Sequence, residues 1–125
     1  MSELAFVIYL IAHGLMHGIV FLFPSGPDSP FDPHRSWIFE VIGVSDFAMG
    51  VIAMSLAATA VVFYLGTAVN YFASGVIKTR STVLASIVSL GLIVLFFTPW
   101  LIVGALVDVG LIYAVTRNDP VLLTP

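Results

Sequence analysis

Apolar runs of about membrane length dominate this chain. The first run covers residues 4–23, which is about the 20 residues that a helix needs to cross the hydrocarbon core of a bilayer. Over the whole chain, 60% of residues are hydrophobic and 9% are charged, whereas soluble domains average about 45–50% and about 25%. A core built from 125 residues cannot bury so much apolar surface. The sequence therefore predicts an integral membrane protein and excludes a soluble monomer.

The scarcity of basic residues and the absence of cysteine exclude several function classes. Four Lys and Arg residues cannot neutralise a nucleic-acid backbone, so we expect the lipid bilayer and no nucleic acid as a partner. A chain without cysteine forms no disulfide, thiolate metal site or iron–sulfur cluster. The sequence also contains no phosphate loop, nucleophile–base pair or dinucleotide fingerprint. Nothing in the sequence therefore indicates a hydrolase of soluble substrates. Whether the chain is an enzyme stays open, and the leading expectation is that it is not one on its own.

Prolines and polar residues divide the chain into four predicted spans. Four prolines between residues 24 and 33 forbid a helix, so residues 24–36 are predicted to form a proline-rich loop. Ser36 is a predicted N-cap, and Thr98 followed by Pro99 is typical of a helix start after a tight hairpin. The chain is predicted to be a single all-α membrane domain, residues 1–125, with spans at residues 4–23, 49–77, 82–98 and 99–116.

The segment of residues 37–77 leaves the number of spans open. It contains no proline and no clear turn, and as one helix its 41 residues would extend about 61 Å, about twice the thickness of the hydrocarbon core. Either residues 37–48 form an extra interfacial or extended helical segment, or the segment folds as two spans that break near Gly66. A bundle of four helices is our prediction, and five helices is the alternative.

The positive-inside rule gives each alternative an orientation. With four spans, Lys78, Arg80 and Arg117 share one side with the N-terminus, and Arg35 lies on the other. Both termini would then be cytoplasmic, and we expect a prokaryotic cell membrane. With five spans, all four basic residues fall on one side and the N-terminus lies outside.

Lys78 to Ser81 is predicted to be the polar connection before the third span, with Ser81 as its N-cap.

Two histidines in the first span form the sharpest motif. His13 and His17 are one helical turn apart, so their imidazoles share a face and could bind one metal ion. The alternatives are a hydrogen bond from each histidine to a neighbouring helix, a haem, or proton transfer. The cofactor therefore stays unknown, and none is the leading expectation.

Carboxylates inside the apolar spans could complete a site. Asp108 lies near the middle of the last span, where an unpaired charge is costly, and His13 lies at similar depth. We therefore predict that these two side chains face each other across the bundle. The alternative is that Asp108 bonds a serine or a backbone carbonyl. Asp46, with Glu40 shortly before it, could also join the two histidines in a set of two His and one carboxylate, which is typical of non-haem iron sites.

Small residues mark predicted helix-packing faces. Gly14 and Gly18 form a G-x-x-x-G motif beside the two histidines, which allows another helix to approach closely. A stripe of small residues follows Asp46 along the second span. Ser86 and Ser89 are interpreted as packing residues. The predicted packing positions are Gly14, Gly18, Gly50, Ala53, Ala57, Ala60 and Gly104.

Two segments carry a resemblance to known proteins. Residues 9–18, YLIAHGLMHG, and residues 97–108, FTPWLIVGALVD, resemble the first and last spans of small uncharacterised four-span membrane proteins with a histidine-containing first helix. The architecture is also loosely similar to the DoxX group. Residues 37–77 are longer than the second span of that pattern. The resemblance implies a four-helix membrane bundle and no settled activity.

Size, composition and the buried acids leave three functions open. The first expectation is an accessory subunit of a larger respiratory, redox or monooxygenase-type membrane complex, which packs against other membrane subunits through its Gly and Ala faces. The second is a membrane redox protein that binds a metal or haem through His13 and His17. The third is a small homo-oligomeric transporter or channel coupled to protons, since intramembrane His and Asp are typical of proton relays.

Overall fold

The protein is a bundle of antiparallel helices. The computed structural model describes residues 3–23, 31–71 and 75–117, and within these ranges it contains no strand. The helices are α1 (Glu3–Leu22), α2 (Trp37–Val41), α3 (Asp46–Asn70), α4 (Gly75–Leu95) and α5 (Ile102–Arg117), and a 3₁₀ turn at Pro99–Leu101 leads into α5.

Four helical segments are long and apolar enough to cross a membrane, counted over the described ranges. They are α1, α3, α4 and the 3₁₀ turn together with α5. The four-span prediction is therefore confirmed, as is the short extra helix before the second span. The 25 residues of α3 extend about 37 Å, which exceeds the hydrocarbon core of about 30 Å. Helix α3 is therefore long enough to cross the hydrocarbon core with a tilt or with one end outside it.

A sharp turn separates α2 from α3 within residues 37–77. Gly43 adopts a φ of 74°, a left-handed conformation that glycine reaches without a steric penalty. Ser45 then caps α3, because its hydroxyl accepts a hydrogen bond from the amide of Ala48 at 3.3 Å. The expectation of no clear turn here was wrong. The predicted span of residues 49–77 is corrected to Asp46–Asn70, and Gly66 lies inside this helix.

The polar residues 78–81 do not form a connection. Helix α4 already begins at Gly75, so the predicted start at residue 82 was wrong. The hydroxyl of Ser81 donates to the carbonyl of Lys78 at 3.1 Å, within the helix, and does not cap it. Basic side chains are tolerated near the end of a spanning helix because their long stems carry the charge out to the interface. The Lys78 side chain also lies over an aromatic ring, with its Nζ 4.0 Å from the centre of the Tyr71 ring.

The proline-based predictions agree with the structure where it describes them. Thr98 is extended and Pro99 occupies the first position of the 3₁₀ turn, as predicted for a helix start, but the Thr98 side chain makes no capping hydrogen bond. Residues 31–36 of the proline-rich loop are not helical. The predicted extended segment at residues 24–30 and the stop signal after Arg117 lie outside the described residues.

The short helix α2 is attached to the end of α4. Ser36 caps α2 by accepting from the Phe39 amide at 3.4 Å, and its hydroxyl donates to the Leu95 carbonyl at 2.5 Å. The Trp37 indole donates to the Val94 carbonyl at 2.7 Å. The last carbonyls of a helix lack partners within it. These two side chains supply the missing donors.

The spanning helices pack in chain order, α1 on α3, α3 on α4 and α4 on α5. We call the end of the bundle that carries residues 31–45 the loop end, and the end that carries Glu3 and Arg117 the termini end. The loop-end cluster of buried apolar side chains comprises Phe21, Met49, Ala53, Ala57, Leu92, Ile93, Phe96 and Leu101. The termini-end cluster comprises Val7, Leu10, Tyr64, Ala68, Ala85 and Leu111.

Candidate functional site

A group of polar side chains lies between the two apolar clusters, near the middle of the spans. Each of the four spanning helices contributes to it, and every member is buried or nearly so. We call this group the central polar cluster. Its members are His13 and His17 of α1, Tyr64 of α3, Ser86 and Ser89 of α4, and Asp108 of α5.

Asp108 is the hub of the central polar cluster. Its side chain is fully buried and receives three hydrogen bonds. His13 Nε2 lies 2.9 Å from Oδ1, Ser89 donates to Oδ2 at 2.5 Å, and the Tyr64 hydroxyl donates to Oδ1. The predicted approach of His13 to Asp108 is therefore confirmed, and the serine bond given as the alternative is present as well. These bonds explain how a carboxylate is tolerated at a depth where an unpaired one costs about 2.5–3.5 kcal/mol on insertion scales.

The hydrogen bonds have a common direction. A hydroxyl carries one proton, and Ser89 donates its proton to Asp108, so His17 Nε2 must donate to Ser89 across 2.7 Å. Tyr64 likewise donates to Asp108, so Ser86 donates to the Tyr64 oxygen across 3.2 Å. The donors from three helices therefore converge on one carboxylate of the fourth.

Close packing of α1 on α3 places the histidines beside Tyr64. A Cβ atom at Gly14 would lie 2.6 Å from Tyr64 Cβ, so only glycine permits this approach. The Tyr64 ring centre lies 5.0 Å from that of His13 and 6.1 Å from that of His17. Because the two histidines are one turn apart on α1, both imidazoles contact the tyrosine ring.

Three members of the cluster have the composition and spacing of a metal-ligand set. One ligand atom each from His13, His17 and Asp108 lies within 4.8 Å of the others. Three atoms this close lie within about 2.8 Å of a common point, so shifts of less than ~1 Å bring them to the bond lengths of about 2.0–2.2 Å found in zinc sites. A ligating imidazole nitrogen carries no proton, so metal binding would replace any hydrogen bond that the same nitrogen donates. Tyr64 and Ser89 bond to the same carboxylate and would orient it.

Asp46 does not join this set. It is the exposed first residue of α3, whereas the histidines contact α3 at Tyr64, 18 residues further along, which is about 27 Å on a helix. The prediction that Asp46 joins the two histidines is therefore corrected, because its carboxylate lies far from them along α3. Glu40 lies in α2 and is also distant from the cluster.

The small residues meet different partners along the chain. Ala53 and Ala57 are fully buried in the loop-end cluster. A Cβ atom at Gly104 would lie 3.2 Å from Ile93 Cδ1, so α5 approaches α4 closely there. Gly50, predicted to pack against a helix, instead lies under the His34 ring, whose Cε1 would overlap with an added Cβ. Its packing partner is a loop residue because His34 donates to the Asp46 carbonyl at 2.9 Å.

Sequence reasoning missed half of the central polar cluster. The sequence pattern assigns Ser86 and Ser89 to packing and gives no role to Tyr64. The signal that could have found them is a hydroxyl in the middle of an apolar run, at a depth similar to that of His13 and Asp108. The spacing of three between the two serines also puts them on one face of α4.

A cleft of about 220 Å³ opens beside the histidines, between α1 and α5. His13 and His17 lie at one end of it, and aliphatic and aromatic side chains form most of its walls. The cleft includes Met16, Phe21, Ile93, Val103 and Val107.

No family model, no curated protein and no solved structure matches this chain. The resemblance to the DoxX group therefore stays a prediction. The function of the chain has to be argued from the geometry of the central polar cluster and the cleft.

Proposed function

We propose that this chain is a membrane-embedded metal-binding protein in which His13, His17 and Asp108 hold one transition-metal ion. The observation that carries the proposal is the convergence of two imidazoles and one carboxylate within 4.8 Å in the middle of the bundle. Ionisable side chains inside spans are costly and are generally associated with function. Sets of two His and one carboxylate are typical of non-haem iron(II) sites with open positions.

The surroundings of the three ligands favour a single metal ion over a haem. The cleft beside the histidines measures about 220 Å³, which is below the range of about 300–1,000 Å³ for cofactor and drug-sized ligand pockets. A porphyrin ring is therefore disfavoured. Three protein ligands also leave a coordination position for a further molecule, as catalytic metal sites generally do. Redox chemistry at an iron or copper ion is the activity that we propose for this position.

Metal analysis of the purified protein tests the proposal. We expect close to one iron, copper or zinc ion per chain after purification or after reconstitution with iron(II). His13→Ala and His17→Ala should each reduce the bound metal at least 10-fold. The matched control is His34→Ala, since His34 is exposed in the loop and is the only other histidine of the chain.

Two results would overturn this proposal. One is the lack of stoichiometric metal in folded protein even after reconstitution. The other is an equal loss of metal from the His34→Ala variant and from the His13→Ala variant, which would indicate binding outside the central polar cluster.

We propose as a second function that the chain is a subunit of a larger membrane complex. Helix α5 supports this, because it is the least buried of the four spans and packs mainly against α4. Val109 and Leu106 are exposed on it, and a Cβ atom at Gly110 would meet nothing within 4 Å. A small residue on an open face permits close approach of a further helix.

Purification in mild detergent tests the subunit proposal. We expect other membrane proteins to co-purify in fixed stoichiometry, and Gly110→Leu to remove them. The control is Gly91→Leu on α4, where an added Cβ also meets nothing within 4 Å. Purification as a lone homo-oligomer, with or without these substitutions, would contradict the proposal.

A further inference from the structure

The cleft beside the central polar cluster has one polar end and apolar walls. His13 and His17 supply the polar atoms at that end, and Trp100 is the only other polar side chain among the described residues that line the cleft. The other described lining residues contribute aliphatic, aromatic or thioether groups, apart from Gly104. A charged ligand would lose its hydration against such walls without compensation. The lining therefore favours a neutral ligand with an apolar body.

The cleft opens towards the lipid phase. Met16 and Val103, on opposite walls, are 53% and 68% exposed. Met16 lies in the interior of α1, and Val103 is the fifth residue of the 19-residue apolar segment Pro99–Arg117, so both belong to segments long enough to span the membrane and their exposed surfaces face hydrocarbon. A ligand can therefore enter sideways from the bilayer, between α1 and α5.

The volume of the cleft limits the size of the ligand. At about 220 Å³ it is somewhat larger than an apolar cavity of about 150 Å³ that binds benzene. A single substituted ring fits this volume, whereas a full phospholipid does not.

We propose that the cleft binds a neutral, lipid-soluble molecule with a benzene-sized body and one hydrogen-bonding group, which is directed at His13 and His17. What happens to this molecule after it binds rests on the proposed function. With a metal ion in place, the molecule would be the substrate that reaches the open coordination position. Binding itself needs only the cleft and the two imidazoles.

Fluorescence quenching by 4-bromophenol tests the proposal. The chain contains two tryptophans, so a Trp37→Phe background leaves Trp100, at the cleft, as the sole reporter. In metal-free protein reconstituted into vesicles, we expect saturable quenching of Trp100. Bromobenzene, which lacks the hydroxyl group, should bind at least several-fold more weakly.

Substitutions that fill the cleft provide the decisive comparison. Val107→Phe, and Val103→Phe as a second variant at the lipid-facing wall, should each weaken binding at least 10-fold. Val109→Phe is the matched control, because Val109 lies on α5, is 55% exposed and does not line the cleft. A Trp100→Phe variant, which keeps Trp37, should show the unsaturated quenching expected from partition into lipid.

Distinct results overturn the two proposals. Unsaturated quenching of Trp100, or equal affinity in the Val107→Phe and Val109→Phe variants, would overturn the cleft proposal even if the protein binds metal. Saturable binding that the cleft-filling variants abolish would support the cleft proposal. If the protein without these substitutions shows that binding but takes up no metal after reconstitution, only the metal proposal fails.

Discussion

Asp108 shows how an apolar bundle tolerates a carboxylate. Its three hydrogen bonds come from three different helices, and each donor is itself buried or nearly so. Loss of the carboxylate would therefore leave donors of His13, Tyr64 and Ser89 without an acceptor, in a place that water does not reach. The stability of the bundle and the integrity of the site depend on the same residue.

We predict that Asp108→Leu destabilises the bundle by about 2–5 kcal/mol, since it removes three intramembrane hydrogen bonds worth about 0.6–1.7 kcal/mol each. Thermal or denaturant unfolding in detergent would measure this. The control is Asp46→Leu, which replaces an exposed carboxylate at a helix N-terminus and should cost less than ~1 kcal/mol. Equal losses from the two substitutions would show that Asp108 is not the hub of a stabilising network.

At the scale of the helices, the close contact between α1 and α3 depends on Gly14, because glycine has no side chain. Gly14 lets the α1 backbone approach Tyr64, while Gly18, one turn later, leaves 3.4 Å between an added Cβ and Val61 Cγ2. The first distance is not possible for real atoms, and the second is ordinary contact. The two glycines of one motif therefore have different tolerance to substitution.

We predict that Gly14→Ala separates α1 from α3 and destabilises the protein by about 1–3 kcal/mol, as overpacking generally does. Gly18→Ala should change stability by less than ~1 kcal/mol, because the Cβ contact is relaxed and alanine favours the helix. Unfolding in detergent compares the two variants. Gly66→Ala, where nothing lies within 4 Å, is the reference for the propensity effect alone. A Gly14→Ala variant as stable as Gly18→Ala would contradict the packing argument.

The whole molecule places its charges unevenly between its ends. Lys78, Arg80 and Arg117 belong to the termini end, whereas Arg35 belongs to the loop end. We propose from this bias that the termini end is cytoplasmic, as the positive-inside rule predicts.

Because the chain contains no cysteine, its orientation can be tested with single cysteines. Glu3→Cys and Glu40→Cys are matched substitutions of exposed glutamates at the termini end and the loop end. In intact cells, an impermeant maleimide should label the Glu40→Cys variant and not the Glu3→Cys variant. The opposite pattern would reverse the proposed orientation, and equal labelling of both from one side would contradict the crossing of the membrane by α1.

The sequence by itself determined the membrane class and the depth of the main polar residues. Apolar runs have to match the thickness of the bilayer, so their length predicts four spans with five as the alternative, and the turn at Gly43 together with the unbroken helix through Gly66 decides for four. The i, i+4 spacing places His13 and His17 on one face of α1. The similar depth of Asp108 and His13 in their spans predicts that these two side chains face each other. These properties depend on distance along one helix, which the sequence states directly.

Only the tertiary structure decided which polar residues meet and where the helices begin. The rotation of each helix about its axis brought Tyr64, Ser86 and Ser89 to Asp108 and left Asp46 exposed at a helix end. Hydropathy does not encode this rotation, because it follows from contacts such as that of Gly14 with Tyr64. The cleft between α1 and α5 is likewise a property of the gap between two helices that are far apart in the sequence, so no local pattern of residues predicts it.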